Sequence, residues 1–174
     1  MIMRNKIVFL VIVMAAAFLS SCTTKLSLYI KEKIEKSTVK LEEVQFYNSE
    51  RVIMRRVLPK TEKVAETSGT IKFRRGEFIE TLIVRKNTPG VYVSQDQERL
   101  FIAFEKGPDR FLSFRLNGGY YMLDHRYVDK AYHVTYDGKE YVLLDGRNDF
   151  VSIKKKSSFV TDNKRRYLKG VEVK

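Results

Sequence analysis

Few side chains in this sequence are suited to chemistry: two histidines, His125 and His133, and a single cysteine, Cys22. A serine or cysteine nucleophile needs an imidazole base within hydrogen-bond reach and a carboxylate to orient that base. No Gly-x-Ser-x-Gly elbow accompanies either histidine. His133 shares a strand face with Ala131 and Thr135, and His125 follows Asp124 near a turn, so surface or packing roles are expected for both. Two histidines eight positions apart and one distant cysteine match no metal-ligand spacing, so neither metal nor cofactor is expected. The carboxylates Glu42-Glu43 and Asp96 with Glu98 read as exposed charges rather than glycosidase acids. Asn117-Gly118-Gly119 lacks the Gly-Lys of a phosphate loop and reads as a turn. No enzyme is expected.

Charge is the stronger signal. The 174 residues carry a formal net charge of +12, which favours anionic partners. The cations cluster as Arg55-Arg56, Arg74-Arg75, Lys154-Lys155-Lys156 and Lys164-Arg165-Arg166. In a strand adjacent residues face opposite ways, so such clusters need not share a surface. The two groups near the carboxyl end, Lys154, Lys155, Lys156 and Lys164, Arg165, Arg166, are the candidate contacts to an anionic membrane, where each cation contributes about 1 kcal/mol. Nucleic acid is not expected. Phe73, Phe78 and Phe101 read as core residues, not as a base-stacking platform.

Residues 1–22 read MIMRNKIVFLVIVMAAAFLSSC. Arg4 and Lys6 make a positive start, and Ile7–Phe18 is an apolar run of signal-peptide length, short of the roughly 20 residues of a spanning helix. Leu19-Ser20-Ser21-Cys22 resembles the lipobox of bacterial lipoproteins. That resemblance implies a signal peptide over residues 1–21, with Leu19, Ser20 and Ser21 read by the signal peptidase. It also implies diacylglyceryl and acyl chains on Cys22 as the sole covalent lipid. Each acyl methylene in the bilayer gains about 0.8 kcal/mol, so such a residue tethers the chain firmly without spanning. Removing residues 1–21 takes away Arg4 and Lys6 alone among charges and leaves +10. In lipoproteins of two-membrane bacteria an Asp after the cysteine marks inner-membrane retention. Thr23 stands there instead, which by resemblance implies an outer-membrane, periplasm-facing protein. The whole chain also resembles small β-rich lipoproteins of Bacteroidota, through Val44-Gln45-Phe46-Tyr47 and Thr88-Pro89-Gly90-Val91, a likeness that carries no function.

The elements that must position these groups are β-strands. Residues 22–40 mix strand and helix periods and are expected to be a spacer between lipid and domain. From Leu41 to Lys174 a single β-rich domain is expected. Arg51–Leu58 reads as a strand, Ile71–Val84 as a hairpin turning at Arg75-Gly76, and Asn87-Thr88-Pro89-Gly90 as a turn. Leu112, Phe114 and Leu116 alternate with polar residues, as in a sheet with one wet face. Asp137-Gly138 between two apolar runs signals a two-residue hairpin. About ten short strands with regular turn signals predict an all-β antiparallel small barrel or sandwich, a closed or half-closed barrel being preferred.

The sequence thus predicts a membrane-anchored lipoprotein of the bacterial envelope that binds or scaffolds an envelope protein. A subunit of an envelope secretion apparatus is its more specific form. An envelope hydrolase or a small-ligand carrier is the alternative, and a pocket shared by His125 or His133 with a carboxylate or serine is the feature that would favour the hydrolase.

Overall fold

The structure, a computed structural model, describes residues 23–58, 70–74 and 77–154. The described residues open with β1 (Thr23–Lys25), a helix α1 (Leu28–Glu35) and a 3-10 turn (Leu41–Glu43). The first half of the strands is β2 (Phe46–Asn48), β3 (Val52–Val57), β4 (Thr70–Arg74), β5 (Glu77–Val84), β6 (Pro89–Gln95) and β7 (Arg99–Ala103). The second half is β8 (Phe111–Asn117), β9 (Tyr120–Leu123), β10 (Arg126–Val128), β11 (Ala131–Tyr136), β12 (Lys139–Asp145) and β13 (Val151–Lys154).

These strands form two antiparallel sheets: β1-β13-β2-β6-β7-β8-β9 and β10-β11-β12-β3-β5-β4. The all-β reading holds, and the sandwich replaces the preferred barrel. A barrel needs one continuous ladder closing on itself; among the described residues no ladder joins β4 or β10, the edges of the six-stranded sheet, to the other sheet. The chain instead turns corners, with β2 and β3, β5 and β6, β9 and β10, and β12 and β13 each crossing from one sheet to the other. The seven-stranded sheet curls strongly. Leu28 N donates to Gly119 O (3.0 Å), Tyr121 N to Leu26 O (3.2 Å) and Leu123 N to Asp149 O (2.9 Å), bringing its far edge back to the chain flanking β1 and β13 through isolated bridges.

Strand alternation builds the core. In β3 Val52 and Met54 are fully buried; in β7 Leu100 and Ile102 are, and in β8 Leu112 and Phe114 are. Each such side chain contributes roughly 1.5–3 kcal/mol by leaving water. Two buried polar residues fasten the corners. Asn48 Oδ1 accepts from Thr88 N at 2.8 Å, and Asp149 Oδ1 accepts from Ser49 N at 2.7 Å and Glu50 N at 2.8 Å. The hairpin at Asp137-Gly138 has positive φ at both residues, 52° and 66°, as a type I′ turn requires.

The expected spacer is part of the fold. β1 pairs with β13, Thr23 opposite Lys154. Leu26 and Ile34 are fully buried in the common core, and α1 is capped by Ser27, whose Oγ accepts from Ile30 N at 3.2 Å. Eight residues are too few for a helix to hold itself in water, so α1 exists because it packs. The three aromatics expected in the core face outward instead: Phe73 and Phe78 meet at 5.0 Å on the β4–β5 hairpin and are 67% and 46% exposed, and Phe101 is half-buried on the outer face of β7.

Candidate functional site

Two places concentrate functional groups. The first is the end of the sandwich where β1 and β13 lie side by side. Cys22, Leu19, Ser20 and Ser21 lie outside the described residues, as do Lys155, Lys156, Lys164, Arg165 and Arg166. Their described neighbours are informative: Thr23, next to Cys22, is already in a strand, and its antiparallel partner is Lys154, the first of the lysine triplet. Lys154 is exposed and lies over the Tyr47 ring, 5.6 Å from its centroid; Lys25 lies over Phe150 at 3.6 Å. The Arg55-Arg56 pair does not join them, and Arg75 lies outside the described residues. Arg56 points inward, where its Nε meets Glu80 Oε2 at 2.7 Å, and Arg55 faces the opposite side of the strand. Glu80 also accepts from Tyr141 OH at 2.9 Å; burial and this carboxylate push the Tyr141 phenol up to about 12, against Arg56, which lowers it.

The second place is a cleft of about 360 Å³ between the outer face of β7–β8 and the β10–β11 hairpin. Because Leu100, Ile102, Leu112 and Phe114 point into the core, Arg99, Phe101, Phe111, Ser113 and Arg115 must point out, and they form its floor. Arg99 and Arg115 are direct cross-strand partners, an arrangement that repels unless a counter-charge intervenes. Asp124 supplies one. Its Oδ1 lies 3.1 Å from Arg115 Nε, and its Oδ2 lies 3.3 Å from Arg115 Nη2, 4.0 Å from Arg99 Nη1 and 3.5 Å from Ser113 Oγ. Asp96 holds the other side of Arg99 at 2.6 Å, and this exposed Arg99 partner keeps the Asp96 carboxyl below its usual range.

Both histidines line this cleft. His125 sits edge-on to Tyr132 at 5.0 Å. His133 is mostly buried; its Nδ1 comes within 3.2 Å of Glu140 Oε1 but makes no hydrogen bond. Asp137 N donates to Asp109 O at 3.0 Å and closes one end. The pocket that would favour a hydrolase is therefore present, with histidines, Asp124 and Ser113 together. The hydroxyl of Ser113, however, bonds the carboxylate directly, and that carboxylate is occupied by arginine rather than by an imidazole.

No family model, no curated protein and no solved structure matches this chain.

The cleft must accordingly be read from its own geometry. Sequence reasoning found its histidines but not the floor. The available signal was the outward register of β7 and β8: Arg99, Phe101, Ser113 and Arg115 all sit at positions alternating with core residues. Among the described residues no group of three or more His, Cys, Asp or Glu side chains is arranged to hold a metal ion.

Proposed function

We propose that this chain is a lipid-anchored β-sandwich of a bacterial envelope, tethered through Cys22, which binds or scaffolds another envelope component. The observation that carries the reading is the position of β1. Thr23, the residue after Cys22, already lies in β1 and pairs there with Lys154, so a lipid on Cys22 would hold the domain close against its membrane. Lys25 and Lys154 at that end add attraction to anionic head groups, the second signal that makes a lipid tether firm. An outer-membrane, periplasm-facing location and a partner in an envelope secretion apparatus are the specific forms of this proposal. An interior carrier is less favoured, because Leu26, Phe46, Met54 and Tyr141 fill the space between the sheets with their own side chains.

Mass spectrometry of the membrane fraction after crosslinking in intact cells tests it, comparing wild type with Cys22→Ala. Acyl mass on Cys22 and one reproducible envelope partner, lost with the tether, support the reading. A soluble, unacylated wild type refutes the anchor; an acylated protein with no partner refutes the scaffold.

A second reading, an envelope hydrolase acting on glycan or peptide, has one observation in its favour, the convergence of His125, His133, Asp124 and Ser113 in one cleft. Turnover of such substrates by the full chain, abolished in His133→Ala, would establish it over the first.

A further inference from the structure

We propose that the cleft between β7–β8 and β10–β11 binds a short, uncharged saccharide. Three arginines (Arg99, Arg115, Arg126) and three aspartates (Asp109, Asp124, Asp137) line it, so their formal charges cancel. An ionic ligand of either sign gains little net attraction from such a wall. A hydroxyl is the ligand group that both donates and accepts, and so uses guanidinium donors and carboxylate acceptors at once. Asp124 is already fixed by Arg115 and Ser113, with its side chain 17% exposed, so an arriving hydroxyl meets a preorganised acceptor. Beneath it Phe101 and Phe111 pack edge to face at 5.2 Å and give the floor an apolar patch of the kind a pyranose C–H face covers. The volume, about 360 Å³, stands near the lower end of small-molecule sites, roughly 300–1,000 Å³, and admits a mono- or disaccharide unit. This inference does not depend on the lipid anchor, and Cys22→Ala should behave as wild type.

The chain supplies its own reporter, because it has two histidines and both line the cleft. The test is a titration of the full-length protein, in a non-glycosidic detergent, followed by the two histidine ring-proton resonances. Cellobiose, maltose and N,N′-diacetylchitobiose are the neutral probes; galacturonate and inorganic phosphate are the charged ones. The expected result is a saturable shift of at least one histidine signal with a neutral disaccharide, weakened about tenfold or more by Asp124→Asn and by Arg115→Gln. Arg51→Gln, which breaks an exposed pair with Asp145 outside the cleft, should leave it unchanged. No shift with any neutral sugar, or shifts with the charged probes alone, would overturn the proposal. So would neutral-sugar binding that both cleft variants, folded by circular dichroism, leave intact.

Discussion

Replacing Asp149 by Asn should change how stability depends on pH. Asp149 is fully buried at the corner between β12 and β13. Its Oδ1 accepts from Ser49 N, Glu50 N and Ser49 Oγ at 2.7, 2.8 and 3.0 Å, while Oδ2 is buried with no partner. Burial is the largest influence on its carboxyl and outweighs the three donors, with Glu50 adding repulsion, so its pKa rises from 3.8 to about 6. A carboxyl whose folded pKa is raised binds its proton more tightly in the native state. Below about pH 4 it is neutral in both states and costs nothing. Between about 4 and 6 the unfolded chain has lost the proton while the folded chain keeps it, and stability falls as pH rises; above 6 the loss is complete. A rise of about two units corresponds to about 3 kcal/mol. The Asn variant lacks this component, although its amide nitrogen inherits the partnerless position and costs about 1–3 kcal/mol at every pH.

The quantity to measure is therefore the difference between the two melting curves as a function of pH. From pH 4 to pH 7 it should move by about 3 kcal/mol in favour of Asp149→Asn, roughly 6–12 °C for a chain of this size. A difference that stays flat across that range would show that Asp149 titrates normally, and that the corner is hydrated rather than dry.

Three further outcomes follow from packing. Ile34→Ala, in the helix expected to be a spacer, should cost about 2–5 kcal/mol in urea denaturation, because the side chain is fully buried; a cost within about 0.5 kcal/mol would return α1 to the solvent. Arg56→Met should cost about 3–5 kcal/mol by depriving the buried Glu80 of its cation, and adding Glu80→Gln should recover part of that loss; strict additivity of the two changes would refute the coupling. Gly90→Ala should cost about 1–3 kcal/mol, since a Cβ there falls 2.7 Å from Ile102 Cγ2 and 2.8 Å from Phe104 Cε1; an unchanged melting temperature would mean that these side chains yield freely.

What the sequence made legible follows the range of each interaction. Asp137-Gly138 and the alternation of Leu112, Phe114 and Leu116 are local: a turn type and a two-residue period write themselves into consecutive positions, and the strands appear where those signals place them. The choice between barrel and sandwich is not local. It depends on which strands β4 and β10 pair with, and nothing in Thr70–Arg74 or Arg126–Val128 encodes that they form the edges of the six-stranded sheet among the described residues. Residues 23–40 misled for a related reason. Leu26 and Ile34 are eight positions apart in mixed strand and helix periods; Leu26 is fixed by backbone bonds to Tyr121 in β9 and Val151 in β13, about a hundred residues later, and Ile34 joins the same core cluster. The cleft is the extreme case. Arg99 and Arg115 look like ordinary outward charges, and each would be, except that strand register sets them face to face and Asp124 arrives to hold them. Cross-strand juxtaposition of like charges is costly enough that a sequence seldom keeps it without a counter-charge nearby. Pairs of basic residues at outward positions of adjacent predicted strands are therefore worth testing for a shared carboxylate, and in this chain that search alone would have led from Arg99 and Arg115 to Asp124 and on to His125.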